Sequence, residues 1–444
     1  MPRTELTATP ALEILLDGGQ STYYAGDTIS GRVVRMAPLV SSQACLTVRL
    51  NGRTKSKMMV SRGQAGTSVY RGRFSLFDSE RNKKLLVDGP IHIEADGKGQ
   101  EWPFTITVPS APDPASVVFE NKQKFSYLPL GQRDITAHPL PPVFFTKGVF
   151  INTTYQCFVE YFLEAELCVE AAGSAKKPDR ATLPISVLAQ PTADPTTDTQ
   201  LVRRSFLCRI STYRFTQPEG SGSLSLGQRT RELFGSAKVP QLVFSLQVEH
   251  PTTMQVDDAN IIPFRILILP EPFQTSEAIR DTPHEVILTG MSFEIRARTD
   301  MMCAGTLSPH TSNQTRKFGF DLKSLIEGRG EPIVIPAGEK AEPLDIANLL
   351  CLRIADAARL GRGPFSDRKG RLYPSFATYN IKHTHKLRWS LTVSAAGEST
   401  HVSDEIDITL LPSPGSELPP YEELLDGPES PTDYMNPPAV YEKQ

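Results

Sequence analysis

From Tyr155 to Val169 apolar side chains hold the odd positions: Tyr155, Cys157, Val159, Tyr161, Leu163, Ala165, Leu167 and Val169. The even positions carry Gln156, Glu160, Glu164 and Glu166, with Phe158, Phe162 and Cys168 as exceptions. A period of two belongs to a strand. It sends one row into a core and the other toward solvent or another chain. The run over 153–170 therefore predicts one long strand, which needs a sheet around it. Short β-branched or aromatic segments at 11–16, 29–36, 45–51, 70–77, 91–94, 104–108 and 184–189 supply that sheet, most of them bounded by Gly, Pro, Asp or Asn.

A second series of such segments follows at 206–215, 242–248, 261–269, 286–299, 316–322, 350–354, 376–381, 386–393 and 406–411. Helical periodicity shows only at 345–360, where it is short and irregular, and 220–231 and 361–370 read as exposed loops. With 37 prolines and 30 glycines in 444 residues, the chain is too punctuated for a helical bundle. The length suits two or three domains. The expected fold class is all-β: two tandem antiparallel immunoglobulin-like sandwiches at 11–189 and 201–411. A Pro/Thr/Asp-rich linker at 190–200 joins them, and a disordered tail at 412–444 follows.

That tail holds seven acids, one base (Lys443) and eight prolines, a net of −6 within a whole-chain charge of −3. It is too acidic and too poor in apolar surface to offset its ordering entropy. The near balance of 47 basic and 50 acidic residues excludes a generally basic nucleic-acid binder. The six cysteines show no C-x-x-C spacing, and most sit in apolar runs as small hydrophobes. Glu13 interrupts the first apolar segment, and no apolar run reaches the roughly 20 residues of a membrane span. These features lead us to expect a reducing, cytoplasmic setting, with the Asn152 and Asn313 sequons silent.

Catalytic signatures are missing. There is no phosphate loop, G-x-G-x-x-G, G-x-S-x-G or H-E-x-x-H, and no carboxylate pair in apolar surroundings. A non-enzyme without cofactor is therefore expected. His383 and His385 share a strand face as a metal ligand pair would, but no third ligand is suitably spaced, so they read as exposed histidines on a polar edge. A basic stretch between Arg49 and Lys84 has ten cations against Asp78 and Glu80. It suits acidic peptide tails, phosphates or anionic headgroups, or else it forms the solvated outer face of strands. Within it Arg53, Lys55 and Lys57, spaced by two, are expected to share one face, and Arg71 with Arg73 another. These five are the candidate residues for cargo or anionic-lipid binding.

The tail also carries Leu418-Pro419-Pro420-Tyr421. A Pro pair in polyproline II offers its ridge to an aromatic groove at little entropic cost, and the Tyr fills a neighbouring pocket. This fits the L-P-x-Y form of WW-domain ligands. The stretch from Pro437 to Tyr441 has one residue too many before its Tyr.

Four segments in order resemble one family. Gln20 to Val34, with Tyr24-Ala-Gly-Asp-Thr-Ile-Ser-Gly31, is similar to the opening of an arrestin N-terminal domain. Trp102 to Pro109 resembles its later aromatic strand, and Leu140-Pro-Pro-Val-Phe-Phe145 with Val159 to Leu167 its P-L-P-P … Y-x-L-x-A run. Phe376 to Ile381 followed by Leu387 to Leu391 looks like the closing strands of the C-terminal domain. Together with the tail motif the chain resembles the α-arrestins, the arrestin-related trafficking adaptors of fungi and animals, more than the visual type, and among them the fungal branch.

The resemblance implies a non-catalytic adaptor. Its body would bind a membrane transporter or receptor, and Leu418, Pro419, Pro420 and Tyr421 would recruit the WW domains of a HECT-type ubiquitin ligase. The setting would be cytoplasmic, with recruitment to the plasma membrane or endosomes. A single good ligase motif departs from relatives that gain effective concentration from several. The alternative is an arrestin-fold signalling or sorting scaffold acting without a ligase.

Overall fold

The computed structural model describes residues 3–95, 99–113, 116–117, 121–130, 138–169, 177–191, 201–217, 224–234, 238–256, 261–320, 322–354 and 372–412. Most of the expected linker, the loop at 361–370 and the tail motif at 418–421 lie outside them. Among the described residues no helix is long and apolar enough to cross a membrane.

Ten strands come first: β1 (Glu13–Leu16), β2 (Thr22–Tyr24), β3 (Thr28–Arg35), β4 (Leu39–Ser61), β5 (Thr67–Ser75), β6 (Lys83–Ile93), β7 (Gln100–Thr107), β8 (Phe144–Phe150), β9 (Thr153–Val169) and β10 (Asp179–Leu188). They form a three-stranded sheet, β1-β3-β7, and a seven-stranded sheet, β2-β10-β9-β4-β5, with β6 also on β4 and β8 also on β9. The two inner faces close on one core. Ile14, Ile29, Val33 and Phe104 come from one side, and Leu46, Val48, Leu50 and Leu163 from the other.

Eleven strands follow: β11 (Leu201–Ser211), β12 (Gln241–Pro251), β13 (Thr253–Gln255), β14 (Arg265–Pro270), β15 (Ile287–Cys303), β16 (His310–Gly319), β17 (Ile333–Val334), β18 (Leu344–Asp345), β19 (Phe376–Ala377), β20 (Ile381–Ala395) and β21 (Glu398–Leu411). Their sheets run β11-β12-β14-β18 and β13-β21-β20-β15-β16, with β17 on β15 and β19 on β20. The second scheme repeats the first. The larger sheet of each half has one parallel pair, β2 with β10 and β13 with β21, in an otherwise antiparallel ladder. The chain is an all-β protein whose sheets pack as sandwiches, laid out twice on the same plan.

The sandwiches meet along the end of β15, the start of β20 and the middle of β4 and β5. Met301, Cys303 and Ile381 of the second half pack into the first core. Asn380, fully buried, accepts from the Thr54 hydroxyl and donates 2.9 Å to Ser56 Oγ, which in turn donates to the Met302 carbonyl. Gly72 makes this approach possible, since an added Cβ would lie 2.5 Å from Ser56 Oγ and 2.8 Å from the Met302 carbonyl.

This joint explains where the strand reading fell short. The expected strand at 45–51 is the first half of a 23-residue β4. Its second half turns Thr54 and Ser56 inward, where apolar residues would be expected, because they face the other sandwich. Two further expectations are corrected, and a third is met over part of its length. The segment at 350–354 is not a strand: Leu350 closes a five-residue helix, Ile346–Leu350, which Asp345 caps and Cys351 ends at φ 53°, and Arg353 makes an isolated bridge to Ile261. Within the helical pattern at 345–360, Ile346–Leu350 and Ile354 are helical, and 355–360 lie outside the described residues. Part of the loop at 220–231 is an α-helix, Leu226–Leu233, started by a capping box of Ser225 and Gln228.

Candidate functional site: a cationic sheet face

Arg53, Lys55 and Lys57 do share the outer face of β4. The register sets Arg53 opposite Glu160 and Ser75, Lys55 opposite Phe158 and Arg73, and Lys57 opposite Gln156 and Arg71. Directly paired residues point the same way. Arg71 and Arg73 therefore join the same face, correcting the expectation of a separate one. The register adds Lys147 of β8, which pairs with Gln156, so one row runs Arg71, Lys57, Gln156, Lys147 across four strands.

Two of the five candidates, Arg53 and Lys55, share a single carboxylate within the fold. Glu160, almost fully buried, accepts from the Arg53 guanidinium and lies 3.6 Å from the Lys55 amine. Its second oxygen accepts from the Thr4 amide at 2.7 Å, and Arg53 also donates 2.7 Å to Thr4 Oγ1. Arg53 stacks over the Phe162 ring at 4.8 Å, and Arg3 over Phe145 at 4.6 Å. The N-terminal residues are thus drawn across the sheet beside a cavity of about 540 Å³ lined by Arg3, Leu6, Val143, Glu160, Leu183 and Pro184.

Lys55 is the unusual member. Its side chain is 7% exposed, and burial, with Arg53 and Arg73 adding and Glu160 opposing, brings the amine from 10.5 down to about 8. Lys57, Arg71, Arg73 and Lys147 have no ion-pair partner among the described residues. Like charges set directly opposite across strands repel, so Lys57–Arg71 and Lys55–Arg73 oppose sheet formation. A fold that keeps them has a standing vacancy for negative charge. Two arginines offer planar forks to a carboxylate or phosphate, and two lysines add point charges.

The far end of the basic stretch is different. Arg49 pairs with Glu164, Glu166 and Glu80, and Arg180 donates 2.7 Å to Glu166. Arg81 reaches Asp113 at 3.1 Å and Lys83 reaches Glu80 at 3.2 Å. In that part of the run Arg49, Arg81 and Lys83 are each paired with carboxylates of the fold. Only register separates the two ends.

His383 and His385 are not exposed. They are 5% and 1% exposed, at the joint between the two cores. His383 Nδ1 lies 2.8 Å from Thr299 Oγ1 and its ring packs on Phe144 and Phe376; His385 Nδ1 lies 2.9 Å from Ser375 Oγ. Burial lowers both, His385 to about 3 and His383 well below its ordinary range, with His385 and Arg316 adding to the latter. Among the described residues no group of three His, Cys, Asp or Glu side chains is placed to hold a metal ion.

Leu418, Pro419, Pro420 and Tyr421 lie outside the described residues. Compared with known proteins, the chain matches no family model, and no curated protein matches it in sequence.

Proposed function

We propose that this protein is a non-catalytic adaptor of the α-arrestin kind. Its double-sandwich body docks an acidic cytoplasmic segment of a membrane transporter or receptor, and its tail recruits a WW-domain HECT-type ubiquitin ligase through Leu418–Tyr421. One observation carries the reading: an unneutralised cationic row, Arg71, Lys57 and Lys147 with Arg73 beside it, on the outer face of the first of two like sandwiches. The repeated topology and the ordered resemblance to both arrestin domains support it. So does the form of the tail, in which a rigid Pro ridge is presented from an acidic, Pro-rich segment. Cargo brought to the body would then sit within linker reach of the ligase.

The test uses two full-length variants. Lys57→Glu/Arg71→Glu/Arg73→Glu alters residues that make no ion pair among the described residues, so the fold should persist while capture by immobilised acidic peptide falls at least tenfold. Wild-type binding should also weaken steeply with salt. Tyr421→Ala should lose isolated WW domains and keep the peptide. Peptide binding unaffected by the triple reversal would refute the docking assignment. Unaltered WW binding by Tyr421→Ala would refute the assignment of the ligase motif to Leu418–Tyr421, whereas unchanged cargo turnover after deletion of 412–444 would favour the scaffold without a ligase.

A further inference from the structure

Cys45 and Cys168 are 123 residues apart in sequence and stand directly opposite each other in the β4–β9 ladder. Cys168 is exposed and Cys45 half-buried, and both lie on the outer face, in line with Arg49 and with Glu164 and Glu166. Opposed residues in an antiparallel pair have Cα atoms about 4.5–5.5 Å apart. That span falls inside the roughly 4.4–6.8 Å over which a disulfide closes without moving the backbone. The register is continuous on both sides of the pair, with Ala44 opposite Val169 and Leu46 opposite Leu167.

We propose that Cys45 and Cys168 form a reversible cross-strand disulfide by exchange with a low-molecular-weight disulfide such as that of glutathione. The Cys168 thiolate, the more exposed, attacks one glutathione sulfur. The glutathione S–S bond breaks, and one glutathione leaves as thiolate and takes up a proton. The Cys45 thiolate then attacks the Cys168 sulfur of the mixed disulfide and releases the second glutathione in the same way. Two protein thiols are oxidised by two electrons, and one glutathione disulfide is reduced to two thiols.

The surroundings make this a slow, thermodynamic staple rather than a peroxide sensor. Burial, Glu166 and the charge of Cys45 itself raise the Cys168 thiol against the opposing pull of Arg180 and Lys83, so the reactive thiolate gains population as pH rises. From β6, Asp88 stands opposite Cys45 and adds no cation. Once formed, the bridge fixes the register of the two strands that carry the cationic face. A slip of one residue there would turn every side chain over.

The remaining cysteines supply the controls. Cys157, Cys208 and Cys303 are buried, with all three thiols pushed up by burial, so no reagent reaches them. Cys351 is exposed on a different element, with Asn348 O as its contact. Full-length protein is equilibrated at pH 8 in glutathione redox buffers, quenched in acid, and its linked peptides are mapped by mass spectrometry. A Cys45–Cys168 cross-link should approach completion at oxidant levels that leave Cys351 as a partial mixed disulfide. Cys168→Ser should abolish the cross-link and leave Cys45 as thiol or mixed disulfide. The bridged chain should unfold at a higher urea midpoint than the reduced chain, and the Cys45→Ser/Cys168→Ser variant should not respond to reductant. Separate glutathione adducts on Cys45 and Cys168, no bridge where Cys351 is already modified, or a lower midpoint after bridging would each overturn the proposal.

Discussion

Replacing Lys55 by methionine should make the protein more stable. The Lys55 amine is brought from 10.5 to about 8 in the folded chain. At about 1.36 kcal/mol per pKa unit, holding it charged at pH 7 opposes folding by about 3 kcal/mol. Methionine fills a similar volume without the charge. Glu160 keeps Arg53 and the Thr4 amide but loses its third contact, worth about 1 kcal/mol. The net gain is about 2 kcal/mol, or roughly 4–8 °C in Tm for a domain of this size. The sign with pH follows from linkage. Between about 8 and 10.5 the unfolded chain binds the Lys55 proton and the folded chain does not, so wild-type stability rises with pH across that window. Unfolding midpoints of wild type and Lys55→Met should therefore differ most at pH 7 and converge near pH 10.5. A variant less stable than wild type at pH 7, or a difference that ignores pH, would refute the view that the fold holds an unfavourable cation on this face.

Further expectations concern the joint and the cationic row. The folded histidines at the joint titrate below an unfolded value of about 6.5, so stability is lost as pH falls through 6.5 toward 3, by about 2 kcal/mol for His385 between pH 6.5 and 5. Denaturation midpoints at pH 7.5 and 5 should show His385→Leu losing part of that slope, and an unchanged slope would exclude His385 as its source. Asn380→Ala should cost about 1–3 kcal/mol by leaving the buried Thr54 hydroxyl without its acceptor, and calorimetry should resolve two transitions where wild type gives one. Gly72→Ala should produce the same uncoupling through its clash with Ser56 and Met302, and a single unshifted transition would argue against a tight joint. Lys147→Glu should weaken acidic-peptide capture as strongly as Lys57→Glu, since both flank Gln156; peptide binding insensitive to it would confine the row to β4 and β5.

Strands whose inner row is apolar along their whole length were legible in the sequence. The apolar row of β9 (Thr153–Val169) is buried from Tyr155 to Leu167 as its alternation demands, although Phe158, Glu160 and Phe162 of the other row are buried too, and the core of β20 is visible in Leu387, Trp389, Leu391 and Val393. Legibility failed where a buried row faces another sandwich instead of its own core. Thr54, Ser56, His383 and His385 are buried polar residues whose partners, Asn380, Met302, Thr299 and Ser375, come from other elements. A one-sided reading of charge takes such residues for exposed ones. The cationic face was half legible. Spacing by two placed Arg53, Lys55 and Lys57 together, but pattern alone does not give register. Register brings in Arg71, Arg73 and Lys147, buries Lys55, and parts the neutralised Arg49 end from the open one. The facing of Cys45 and Cys168 was hidden for the same reason.

The central claim is that one chain joins an acidic cargo segment to a WW domain, and a bridging assay tests it most directly. An immobilised acidic peptide is incubated with an isolated WW domain in the presence of the full-length protein. The account predicts that wild type retains the WW domain, that Tyr421→Ala retains only itself, and that Lys57→Glu/Arg71→Glu/Arg73→Glu retains neither. Equal retention of the WW domain by all three proteins would contradict it.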